Sequence, residues 1–64
     1  MTIETIEALT KKAQSDLTLD TPDARAVVEE WLSYYVLTPA ISSALIAGSM
    51  QFVYSPTGVK VVRA

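Results

Sequence analysis

Hydrophobic and polar positions change their period along the chain, and each change marks an element. Over residues 3–17, Ile3, Ile6, Leu9, Ala13 and Leu17 recur at spacings of three and four, one stripe of an amphipathic helix. Glu4, Glu7 and Lys11 fall on the opposite side, with Glu7 and Lys11 spaced for a favourable i,i+4 pair. Thr2 stands where a capping hydroxyl is wanted. Leu17-Thr18-Leu19-Asp20 reads as a short linker, and Thr21-Pro22-Asp23 as a helix start. There Thr21 can accept from the first free amides, Pro22 suits the first turn, and Asp23 favours the positive end of the dipole. The second helix is predicted over 22–36, with Ala24, Val27, Val28, Trp31, Leu32, Tyr34 and Tyr35 on its apolar arc. Arg25 and Glu29 are spaced for a contact on the polar arc.

Thr38-Pro39 repeats the Thr-Pro start. The residue before a proline is pushed out of the helical region, so the second helix should stop near Leu37. A third helix then runs from Pro39 to about Ala47, with Gly48 suited to a left-handed terminus. Ile41, Ala44 and Leu45 share its core side, while Ala40, Ser43, Ile46 and Ala47 face elsewhere. A helix this apolar all round is expected to be covered on more than one side.

Beyond Ser49 the period becomes that of a strand. Met50–Tyr54 and Val59–Arg63 are rich in β-branched and aromatic residues, and Ser55-Pro56-Thr57-Gly58 between them has the preferences of a type I turn. This predicts a β-hairpin. With Ser55 opposite Val59, Phe52 would face Val62 and Val53 would face Val61. One face would carry Met50, Phe52, Tyr54 and Val62, the other Val53, Val59 and Val61. Both would be apolar, and the helices of so short a chain could cover only one.

The expected architecture is α+β: a single small domain, residues 1–64, of three short helices followed by a C-terminal hairpin. Its element order is similar to the winged helix-turn-helix arrangement, in which the third helix reads the major groove and the hairpin is the wing. That resemblance implies Pro39–Ala47 as reading helix and Ser55–Gly58 as wing tip, with nucleic-acid contacts from Ser42, Ser43, Lys60 and Arg63. The chemistry departs from it. The third helix has no Arg, Lys, Asn or Gln, the side chains that pair bidentately with base edges.

Composition narrows the choice further. The 64 residues are 50% hydrophobic and include no cysteine and no histidine, with a formal net charge of −2. No disulfide, thiolate metal site or imidazole base can form, no glycine-rich phosphate loop is present, and no cofactor is expected. Asp16, Asp20 and Asp23 are badly spaced for a calcium loop and read as helix-end and turn residues. The opening Met1-Thr2-Ile3-Glu4 does not resemble a signal peptide, and a cytoplasmic location is expected. Ten of the twelve charges lie between Glu4 and Glu30, leaving 29 uncharged residues from Trp31 to Val59. A single-pass membrane segment at 36–54 is disfavoured by Thr38, Pro39, Ser42, Ser43, Gly48, Ser49 and Gln51 within it.

The uncharged half holds more apolar surface than one small core can use. That points to a non-catalytic protein-interaction module, acting sterically and as a homodimer or docked subunit. Tyr34, Ile46, Tyr54, Val59 and Val61 are its expected interface. In size and bareness it is similar to the small regulatory, inhibitory or assembly proteins that phages and plasmids encode.

Overall fold

The computed structural model describes residues 1–34 and 37–64. The elements are α1 (Ile3–Leu17), α2 (Thr21–Tyr34), α3 (Pro39–Ala47), β1 (Met50–Ser55) and β2 (Gly58–Arg63). Three helices and a two-stranded antiparallel hairpin make the α+β arrangement that the patterning predicts. Among the described residues, no helix is long and apolar enough to cross a membrane. The expected place of Tyr35 in the core lies outside the described residues.

Terminal chemistry sets the helix bounds. Thr2 caps α1 by accepting from the Thr5 amide at 3.2 Å. At the other end Thr18 takes a left-handed backbone (φ 53°), and the Leu19 amide reaches back to the Gln14 carbonyl at 3.2 Å. α2 begins one residue earlier than its Thr-Pro signal implies. The Ala24 amide donates to the Asp20 carbonyl at 2.9 Å, so Thr21 lies inside the first turn rather than capping it. Thr38 caps α3 through the Ile41 amide at 3.3 Å, with Pro39 beginning the helix. Gly48 (φ 87°) closes α3, with Ser49 donating to the Ala44 carbonyl and Gly48 to that of Leu45. This crossed pair is a Schellman motif, which needs a left-handed residue at Gly48.

α1 is the central element, and α2, α3 and β1 all pack against it. Leu9, Ala13 and Leu17 of α1 meet Ala24 and Val28 of α2, Leu37, Leu45 of α3 and Phe52 of β1 in one buried cluster. Trp31, half-buried, lies edge-on to Phe52 with ring centroids 6.3 Å apart. Thr10 is buried too, its hydroxyl satisfied by the Ile6 carbonyl one turn back at 2.7 Å. Ile3, expected in the buried stripe, is 68% exposed. Of the expected i,i+4 contacts, Arg25–Glu29 forms at 3.2 Å. On α1 the pair is Lys12–Asp16 at 3.2 Å instead of Glu7–Lys11.

The hairpin register departs from expectation by one residue. Ser55 pairs with Gly58, so Phe52 faces Val61, Val53 faces Lys60 and Tyr54 faces Val59. A one-residue slip moves every side chain of a strand to the other face. The expected register would have set Lys60 beside Phe52, against the helices. The observed one turns Val59 and Val61 inward, where they pack on the core, and sends Lys60 and Val62 outward. Pro56 cannot take the positive φ of the usual two-residue hairpin turns, and Gly58 carries it instead (φ 123°). The outer face is therefore mixed, with Gln51, Val53, Ser55, Lys60 and Val62, rather than apolar as expected.

Candidate functional site

Two helix ends that are distant in sequence come together around one uncharged groove. The start of α1 supplies Met1, Thr2 and Thr5, and the Leu37–Ile46 region supplies Leu37, Pro39, Ser42, Ser43 and Ile46. The groove encloses about 480 Å³, within the size range of ligand-binding clefts. Its rim exposes Met1 (59%) and Ile46 (51%), with Ile3 also open to solvent in the first turn of α1. Geometry explains the exposure. The Thr38 cap and Pro39 turn the chain so that α3 crosses α1 with Leu45 inward, which leaves Ile46, one position on, about 100° away from the core side.

Ser42 gives the groove its one buried polar feature. It is 4% exposed and its hydroxyl oxygen has no hydrogen-bond partner among the described residues, although a serine in a helix can bond the carbonyl four residues back. An unpaired buried hydroxyl costs about 1–3 kcal/mol. That oxygen is shielded from solvent, and the lining mixes the hydroxyl-bearing Thr2, Thr5, Ser42 and Ser43 with the apolar Met1, Leu37, Pro39 and Ile46.

The expected interface residues do not form one surface. Tyr34, Ile46 and Tyr54 are exposed (82%, 51% and 63%), but they belong to different regions. The Tyr54 hydroxyl makes a long 3.4 Å contact with the Leu17 carbonyl at the end of α1, whereas Ile46 shares the groove at its start. The ends of this 15-residue helix are about 20 Å apart. Val59 and Val61, expected to face outward, are half-buried against the core because of the register. Of the four residues expected to touch nucleic acid, Ser43, Lys60 and Arg63 are exposed and Ser42 is buried. The sequence pattern assigns Ile3 to the core, Leu37 to the end of the second helix and Pro39 to the start of the third, and gives Met1 and Thr5 no site role. Only Met1 carried a legible signal, since it precedes the Thr2 cap; Leu37 belongs to the buried cluster, and Ile3, Thr5 and Pro39 lie in the first turns of their helices.

A second groove, of about 450 Å³, lies between α1 and α2 and is charged. Glu7, Lys11 and Arg25 line it with Thr10, Thr21 and Pro22. Arg25 is already paired with Glu29. Of the expected acidic group, Asp16 is occupied within the fold. One oxygen pairs with Lys12 and the other accepts the Phe52 amide at 3.0 Å.

The chain matches no protein-family model, and neither the curated proteins nor the solved structures contain a significant match to it.

Proposed function

We propose that this protein is a small non-catalytic interaction module whose uncharged groove between α1 and α3 docks a protein partner. The observation behind it is the groove itself: among the described residues, the eight that line it all have uncharged side chains, and Met1 and Ile46 stand half-exposed at its rim. Exposed apolar surface of this kind on a small domain is a mark of protein contact sites. The mechanism is steric, in keeping with a chain that has no histidine or cysteine to act as base or nucleophile. The same reading places the protein in the cytoplasm and gives it a regulatory, inhibitory or assembly role.

Paired baits test it. Ile46→Glu places a carboxylate in the groove without touching the buried cluster, and Ala26→Glu does the same on the exposed face of α2. A partner retained by the parent and by Ala26→Glu, and lost with Ile46→Glu, is the expected result. Equal retention by all three would refute the groove.

DNA binding is the second reading, favoured by the α-α-α-β-β order and by the exposed Lys60 and Arg63 on the hairpin. It is the weaker one, because the exposed positions of α3 are Pro39, Ala40, Ser43, Ile46 and Ala47. They offer a base edge a single hydroxyl. A salt-sensitive mobility shift lost in Lys60→Ala/Arg63→Ala would reverse this ranking.

A further inference from the structure

The two edges of the hairpin are not equivalent. On β1, the Phe52 amide points away from β2, because it donates to the Asp16 carboxylate of α1. Phe52 and Val61 are directly opposed, so they form a non-hydrogen-bonded pair and the Val61 backbone also points away from its partner strand. The Ala64 amide, bonded to the Ser49 carbonyl, gives the same phase independently. Alternation then turns the N–H and C=O groups of Val59, Val61 and Arg63 to the outer edge of β2. Among the described residues no hydrogen bond reaches them there, whereas α1 covers the edge of β1.

From this asymmetry we infer that the outer edge of β2 pairs antiparallel with β2 of a second copy, making a continuous four-stranded sheet. The donors and acceptors select the alignment. Hydrogen-bonded pairs can form only between outward-pointing residues, and a twofold axis at Val61 sets Val61 against Val61 and Val59 against Arg63 in both directions. All three outward positions are then paired. The alignment is also electrostatically open: Lys60 faces Val62 of the second copy and Arg63 faces Val59, so no cation directly opposes a cation. On the inner face, the half-buried Val59 and Val61 of both copies meet as β-branched neighbours. A standard interface covers about 800 Å² per partner, about a fifth of the 4181 Å² surface of this chain. Six strand residues cover less than that, so the dimer is a dissociating one whose population rises with concentration. The proposal extends the interaction reading to a second copy and is separate from the groove.

Sedimentation equilibrium and amide hydrogen exchange on the whole chain test it together. The expected mass doubles from 6.9 kDa with rising concentration. Over the same range the amides of Val59, Val61 and Arg63 become protected, while those of Lys60 and Val62, bonded inside the hairpin, are protected throughout. Val61→Pro removes an outward donor without removing a ladder bond and is expected to stay folded and monomeric. Persistent monomer, or a dimer in which the three outward amides exchange freely, overturns the inference. So does a folded Val61→Pro that still doubles in mass, and should that variant not fold, the exchange pattern of the parent decides. A Val61→Pro monomer that still binds through Ile46 supports both proposals, whereas a monomeric parent that does so overturns the β2 seam and leaves the groove standing.

Discussion

Thr18 shows how much of this chain's stability rests on single backbone positions. Its φ of 53° places a β-branched residue in the left-handed region, at a cost of about 1–2 kcal/mol. Glycine removes that cost but adds freedom to the unfolded chain, so Thr18→Gly is expected to stabilise by up to about 1 kcal/mol in chemical denaturation. Ser42 presents a comparable case with a functional side. Ser42→Ala removes a buried hydroxyl that has no partner among the described residues, and should raise stability by about 1 kcal/mol. An unchanged or lower denaturation midpoint would show that the hydroxyl is satisfied in solution. Neither position was legible in the sequence. Thr18 lacks the usual glycine signal, and Ser42 sits between core and open sides of a helix whose small residues leave its orientation undetermined.

The elements were far easier to read than their alignment. Thr2, Thr38 and Gly48 mark helix ends through side-chain and backbone chemistry that acts within a few residues, and the structure uses all three as read. The hairpin register depends on what lies across from it. Ser-Pro-Thr-Gly admits loops of two or three residues, and only the cost of burying Lys60 beside Phe52 separates them. The tie between Asp16 and the Phe52 amide joins residues 36 positions apart, beyond the reach of any local pattern. Asp16→Ala is expected to cost about 1.5–3 kcal/mol, the range for hydrogen bonds to charged groups, and to expose the β1 edge. Asp16→Asn should lose less, since an amide oxygen can still accept. Equal losses would place the effect in the Lys12 ion pair instead.

At the scale of the whole molecule, a single cluster around Leu9, Leu45 and Phe52 holds every element together. A domain of this size has roughly 3–10 kcal/mol of stability, and Leu9→Ala costs about 2–5 kcal/mol, so that variant should lose a large share of it, read as a much lower midpoint in chemical denaturation. Self-pairing through β2 would raise the reserve by mass action, which predicts a melting temperature that climbs with protein concentration. The surplus of apolar residues in the uncharged half was plain from the sequence. Its location was not, because Val59 and Val61 turn inward while Met1 and Ile3 turn out. Docking at the groove between α1 and α3 is read out by site-specific photocrosslinking from its rim. A photoreactive side chain at position 46 should capture one protein of discrete mass, and the same group at position 26 should not. Capture of the same protein in equal yield from both positions, or from position 26 alone, would rule out the groove as the docking surface.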